Sequence, residues 1–373
     1  MSVSFSRAGL AAGALAAVLA LAACANDAAS SAGGSPATSA AGCASASASG
    51  SASGALPTVT LMVGGIDKQI YLPYQLAQGL GFYQKYGVNV VLSTESAGGV
   101  GAETAMASGQ VDMAGAWYTH TLDFQQKGKA VLDVVQLSGA PGERIMCRTG
   151  SGITSPAQWK GKTIGVTDLG SGTDQLTLYL AARYHLTTKD FHRLGVGAGS
   201  TFVAALQHGR IDCGMTTQPT VAAIEKLGLG YSAFDLASTA GAQKWLGGFV
   251  PTAGVLAQAS WVNAHKDEVQ KVVDALVATM HYIATHSAAD IAGHLPADFV
   301  SNSLITKDEY ISALTKDKDQ FLPDGMMPAS GPATVESIDR FAGVITAAVD
   351  LPATYTNEFA IAANKALGFT VAS

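Results

Sequence analysis

A chain of 373 residues with 48% apolar and only 13% charged side chains has material for one large or two medium-sized cores. Its formal charge of −6 lacks the basic footprint that nucleic-acid binding needs, which excludes that class of partner.

The first segment is not part of a fold. Arg7 precedes the apolar run "AGLAAGALAAVLALAAC", too short and too alanine-rich for a membrane span, and it reads as the core of a signal peptide. The run ends in Leu21-Ala22-Ala23-Cys24, which resembles a bacterial lipobox whose cysteine becomes the lipid-modified first residue. Residues 1–23 are therefore expected to be removed, leaving an exported chain held by Cys24 to the lipid bilayer at the outer face of the cell membrane. No twin arginine is present, so the general export route is expected. Residues 24–57 are almost entirely Ala, Ser and Gly after the cysteine, cannot bury enough surface to offset their ordering entropy, and predict a flexible tether. Cys43 lies within it and is assigned no role.

The body begins with a strand at Thr58–Val63, followed by a Gly-Gly turn and a helix in "YLPYQLAQGLGFYQKYG". The strand "VNVVLSTESAGG" follows, then a short helix, a tight turn at Gly109 and a further strand. Strands alternating with helices of this size predict a parallel α/β sheet. The pattern is then written again. "SGQVDMAGA" (108–116) aligns with "HGRIDCGMT" (208–216) at an offset of 100, matching Gly109 to Gly209, Val111 to Ile211 and Asp112 to Asp212. "SAGGV" (96–100) faces "VGAGS" (196–200) at the same offset, and "TLMV" (60–63) parallels "TIGV" (163–166). Two similar lobes follow: residues 58–145 as the first part of lobe 1, residues 146–248 as lobe 2, and 249–373 returning to lobe 1 with C-terminal helices. After Asn263 as N-cap, Val269, Val272, Val273, Leu276, Val277, Met280 and Ile283 form one apolar stripe on a helix from about 264 to 286. Further helices are expected near 307–316, 332–348 and 356–367. Cys147 and Cys213 could pair, but two cysteines leave the question open.

The chain has no G-x-S-x-G elbow, no phosphate-loop G-x-x-x-x-G-K-[ST] and no H-E-x-x-H. His281 and His286 stand five apart, a poor spacing for a shared metal, and no metal is expected. Asp112 and Asp212 could be paired catalytic carboxylates, but their matched places after G-x-[VI] favour a repeated turn or cap contact. The glycine turn "TDLGSGTDQL" (167–176) opens a helix where backbone N–H groups favour an anion.

Three stretches in order, "QGLGFYQKYGVNVVL", "SAGGVGAETAMASGQVDMAGA" and "SPAQWKGKTIGVTDLGSGTDQL", resemble the ABC-importer substrate-binding proteins of the nitrate/sulfonate/taurine and thiamine-pyrimidine-precursor group. The later "FLPDGMMPASGPATVESIDRF" and "LPATYTNEFA" resemble segments of one branch of it. The resemblance implies an α/β, two-lobe periplasmic-binding-protein type II fold, each lobe a mixed sheet flanked by helices, closing on a small ligand. Carried over by position, it implies a ligand site at Gly65, Asp67, Tyr71, Ala97, Gly98, Gly99, Trp117 and Tyr118 of lobe 1 and Gly170, Ser171, Gly172, Thr173, Thr216, Thr217 and Gln218 of lobe 2. Trp117 has a competing reading as a core residue. Arg144 and Arg148 read either as a fork for an anion or as interlobe supports. The implied function is capture of a small organic anion or heterocycle for an ABC permease, with no cofactor and no chemistry. The pyrimidine-synthesising enzymes of the superfamily use a cysteine-rich segment that this sequence lacks, and a sensory lipoprotein would present the same kind of site.

Overall fold

A computed structural model describes residues 55–95 and 99–370. The expected leader, Cys24, Cys43 and the tether as far as residue 54 lie outside the described residues, as do Ala97 and Gly98 of the expected site.

Strands β1 (Thr58–Gly64), β2 (Asn89–Glu95), β3 (Met113–Trp117) and β4 (Val131–Gln136) precede β5 (Glu143–Arg148), β6 (Thr163–Val166), β7 (His192–Gly195), β8 (Cys213–Thr217), β9 (Gly230–Asp235) and β10 (Ala253–Gln258). They form two five-stranded sheets, β2-β1-β3-β10-β4 and β7-β6-β8-β5-β9. In the first, β1 runs parallel to β2 and β3, while β10 lies antiparallel between β3 and β4. In the second, β6 runs parallel to β7 and β8, while β5 lies antiparallel between β8 and β9. Each sheet is mixed because the chain passes between lobes twice, through 137–142 and 236–252, and the strand after each passage enters against the grain. Helices on both faces bury the continuous apolar strands, of which Val59, Leu61 and Val63 are fully covered.

The internal repeat is visible residue for residue. Helices Val100–Ala107 and Ser200–Gln207, and then β3 and β8, stand 100 residues apart. Gly109 and Gly209 make the same turn at φ +77° and +67°, a region costly for any residue with a Cβ. The Asp112 carboxylate accepts from the Thr60 N–H at 2.8 Å and the Thr60 hydroxyl at 2.7 Å, and Asp212 accepts from the Thr163 N–H at 2.9 Å. Each aspartate thus ties the start of one strand to its parallel neighbour, a structural contact across the sheet.

The stripe expected after residue 264 is buried on the helix Lys266–Thr285, but Asn263 is not its cap. Asn263 falls inside a separate helix, Ala259–Ala264, and His265 forms the junction, its ring stacked on Trp261. The segment "YLPYQLAQGLGFYQKYG" is likewise two helices, Leu72–Gly79 and Phe82–Lys85, parted at Leu80-Gly81. Helices Lys307–Asp317, Gly331–Phe341 and Glu358–Leu367 complete the C-terminal part. The middle one ends earlier than expected, where the Val344 N–H bonds the Asp339 carbonyl and closes the last turn.

Cys147 on β5 and Cys213 on β8 face each other in register and are joined as a disulfide. Arg144 is a support: its guanidinium grips Asp317 with two bonds of 2.7 Å and reaches Asp235 at 3.2 Å, tying lobe 2 to the helix Lys307–Asp317. Arg148 stands 3.9 Å from Asp212 at the surface.

Candidate functional site

In open α/β sheets ligands sit beyond the carboxyl ends of the strands, and here the turn after β1 and the end of β3 reach the turns after β8 and β6. The two sets of turns touch. The Gln69 N–H donates to the Gln218 carbonyl at 2.9 Å. Trp117, at the end of β3, lies flat on Gly172, the first residue of the helix Gly172–Ala182: a Cβ added there would stand 2.0 Å from Trp117 Cε3. Around this contact Thr119, Gln175, Pro251, Ile338 and Asp339 enclose a cavity of about 10 Å³, room for one water. Farther out, Gly65, Asp67, Lys68, Thr94 and Glu95 of lobe 1 and Ala198 of lobe 2 line an open pocket of about 610 Å³.

The expected site residues divide into three groups. Gly65, Asp67, Tyr71, Trp117 and Gly172 lie where the lobes meet. Tyr71 is buried, with Lys68 Nζ 5.7 Å from its ring centroid, and burial together with Glu103, Glu143 and Glu95 pushes its hydroxyl well above the usual range. A second group is engaged in its own turns. Ser171 caps its helix by accepting from the Asp174 N–H, and its hydroxyl donates to the Asp168 carbonyl at 2.7 Å. The Thr173 hydroxyl accepts from the Thr167 N–H at 2.9 Å. The Gly170 N–H is taken at 2.8 Å by the Asp174 carboxylate, itself gripped by Arg193, so the turn already holds an internal anion. Gly99 donates to Glu95 at 2.8 Å, Thr217 to the Gly142 carbonyl at 2.7 Å, and Gln218 accepts from the Ala222 N–H at 3.1 Å. Thr216 is buried with its hydroxyl unpartnered. Tyr118, in the third group, turns away, its hydroxyl 2.6 Å from that of Thr354 in the C-terminal part.

The charged groups of the interlobe region carry no local sequence signal. Burial pulls Lys68 down from its ordinary value, against Glu143, Asp67 and Glu95, and Nζ donates to the Gly64 carbonyl at 2.9 Å. Burial pushes Glu143 up to about 8 in spite of Lys68 and Arg144. Glu103 is likewise pushed up to about 8 by burial, with His120 opposing, and its Oε1 lies 3.1 Å from His120 Nε2. Burial would lower His120, but Glu103 and Asp123 outweigh it and hold the ring at about 8. Glu143, Glu103 and His120 thus exchange protons near neutrality, which suits acid–base work as well as binding. Among the described residues no group of three or more His, Cys, Asp or Glu is arranged to hold a metal ion. No helix among them is long and apolar enough to cross a membrane.

Comparison with known proteins agrees with this architecture. A protein of Bordetella bronchiseptica RB50 superimposes with a TM-score of 0.77 at 28% identity, covering 83% of this chain and 98% of that one. The periplasmic nitrate-binding protein NrtA of Synechocystis PCC 6803 gives 0.66 at 15% identity, covering 84% and 89%. The alkanesulfonate-binding protein SsuA of Xanthomonas axonopodis pv. citri, bound to MOPS, gives 0.61 at 18%, covering 80% and 98%. The two-lobe fold is that of the periplasmic binding proteins. Among curated proteins, the 4-amino-5-hydroxymethyl-2-methylpyrimidine phosphate synthases of Uromyces fabae and Candida albicans are 32% and 29% identical over 148 and 160 residues, 39% and 42% of this chain. The matches span 41% and 45% of those relatives, less than half their length. These relatives are named as enzymes, which overturns the expectation of a chain without chemistry. A family model described as "NMT1/THI5 like" matches residues 70–290, more than half of the chain, and the protein belongs to that family.

Proposed function

We propose that the chain is the solute-binding lipoprotein of an ABC importer, anchored through Cys24, and that it captures a small organic anion or heterocycle between its two lobes. One observation carries the reading: the strand-end turns of two duplicated lobes meet at Trp117 and Gly172 with only about 10 Å³ between them. A ligand enters such a place only when the lobes part, and it is held when they close, as in hinged binding proteins. The solved neighbours that bind nitrate and an alkanesulfonate support a small ligand, and the flat walls of Tyr71 and Trp117 suit a ring.

A second reading, formation of a pyrimidine phosphate, is favoured by the names of the curated relatives and by Glu103, His120 and Glu143 exchanging protons near neutrality. One experiment separates the two. The purified protein is denatured and the small molecules it releases are identified by mass spectrometry. The protein is also incubated with a protein-free metabolite extract and the products compared. A stoichiometric ligand, released unchanged and raising the melting temperature when added back, supports capture. A phosphorylated pyrimidine accumulating with time supports the second reading and overturns the first.

A further inference from the structure

Three buried side chains meet between the lobes, each from a different part of the molecule. Thr119 opens the helix Thr119–Gln126 on lobe 1, Gln175 lies on the helix Gly172–Ala182 of lobe 2, and Asp339 lies on Gly331–Phe341, which packs against both. Thr119 Oγ1 is 2.7 Å from Gln175 Oε1 and 2.5 Å from Asp339 Oδ2. Gln175 Nε2 is 2.7 Å from Asp123 Oδ2, which also lies 3.3 Å from His120 Nδ1.

These contacts need a proton that ionised carboxylates do not supply. A hydroxyl has one proton to donate. If Thr119 gives it to the Gln175 oxygen, the contact with Asp339 is filled only by a proton on the Asp339 carboxyl. If the amide is turned about, its N–H donates to Thr119 and Thr119 donates to Asp339. The amide oxygen then faces Asp123 Oδ2, and that contact in turn needs a carboxyl proton. Either orientation takes one proton more than two carboxylates and a hydroxyl hold. Below about pH 8 the His120 ring is charged and its Nδ1 donates to Asp123 Oδ2, which puts the proton on Asp339.

We propose that the closed arrangement of the lobes binds one proton at Asp339, and that parting the lobes releases it. Withdrawal of Gln175 frees the Thr119 hydroxyl to turn to the Asp339 carboxylate, so the open form is content with that group ionised. Capture of a ligand would then be tighter in a more acidic medium. The proposal rests on the reading above that the lobes part. Burial pushes Asp339 up to about 7, opposed by its bond to Thr119, so the exchange falls near neutrality. The charged groups around it are accounted for. Asp123 raises it and His120 lowers it from lobe 1, with Glu103 and then Lys127 beyond His120. On the lobe 2 helix Asp174 is paired with Arg193, and on its own helix Glu336 is paired with Arg340.

The test uses the full chain and two readouts from about pH 5 to about pH 9, which brackets the Asp339 transition. With aspartate 13C-labelled and Asp133→Asn as the common background, infrared spectroscopy reads the C=O band of protonated Asp339 apart from those of Glu103, Glu143 and Asp133, and small-angle X-ray scattering reads lobe separation. In this background the band should fade around neutrality as the radius of gyration rises in step. Asp339→Asn, whose amide donates to Thr119 at any pH, should lack the band and stay compact throughout. Gln175→Leu removes the competing oxygen and should shift the loss of the band to lower pH, which also serves if Asp339→Asn does not fold. If the background chain opens while the band persists, or the band is unchanged in Gln175→Leu, the proton linkage is wrong and the hinge stands. If the band titrates but the size never changes, the hinge reading fails and takes the proposal with it.

Discussion

Gly172→Ala is the smallest change that separates folding of the lobes from their closure. The new Cβ would stand 2.0 Å from Trp117 Cε3, 2.5 Å from Cδ2 and 2.7 Å from Cζ3, whereas ordinary contact begins near 3.4 Å. Ring and helix must therefore separate by about 1.4 Å, the difference between 3.4 and 2.0 Å. The ring cannot simply swing aside, because it is 7% exposed and packed in the core with Tyr71 and Tyr118. Overpacking of this kind costs about 1–3 kcal/mol. Only the closed arrangement bears it, so the open-to-closed ratio should rise by about 5- to 150-fold. Lobe 2 itself should not suffer, since Gly172 opens its helix without a positive φ, a place that alanine takes without strain. The expected variant melts within a few degrees of the wild type, scatters as a larger particle, shows red-shifted tryptophan emission and retains at least fivefold less copurifying ligand. A variant that scatters like the wild type and keeps its full ligand load would refute the reasoning.

Three further outcomes are expected. Asp112→Ala and Asp212→Ala should each lower unfolding free energy by about 1–3 kcal/mol in urea titrations, because each strips a strand-to-strand tie, with ligand load unchanged. Replacing Cys147 and Cys213 together by alanine frees a loop spanning 66 residues and should cost about 4 kcal/mol of chain entropy, read as a lower urea midpoint. Asp133 is buried on β4, and burial pushes its carboxyl well above the ordinary range. The folded chain then binds this proton where the unfolded chain has lost it, so the group weakens the fold as pH rises above the ordinary aspartate value. Asp133→Asn should accordingly gain stability over the wild type on going from about pH 4 to about pH 7, and a constant difference would contradict that sign.

The fold was written in periodicity and repetition, and these are local. A 100-residue offset in glycine, valine and aspartate predicted two lobes because each lobe repeats the same turn and the same strand tie. The antiparallel strand inside each sheet was harder to read, since β5 and β10 look like any other apolar run until their partners are known. Asn263 misled for a similar reason: a good capping residue does not start a helix when the chain before it is already helical. Of the site, the turns that meet between the lobes were legible from their glycines and aromatic residues. Glu103, His120, Asp123, Gln175 and Asp339 were not, for they span more than two hundred positions and no short motif gathers them. The donor-rich turn at Gly170 looked open to an outside anion because the sequence cannot show that Asp174, four residues on, folds back to fill it.

The place of β10 has a consequence for how the molecule is put together. It lies between β3 and β4, so the first sheet keeps a gap at that position until residues 253–258 arrive. In the second sheet the strand that crosses over, β5, comes first in the chain; β6 pairs with β7, β8 joins that pair to β5, and β9 completes the edge, all by residue 235. A chain delivered from its N-terminus therefore finishes the second-born lobe first and closes the first-born lobe last. Residues 143–235 contain every strand of their sheet, whereas no contiguous stretch short of residue 258 contains the other.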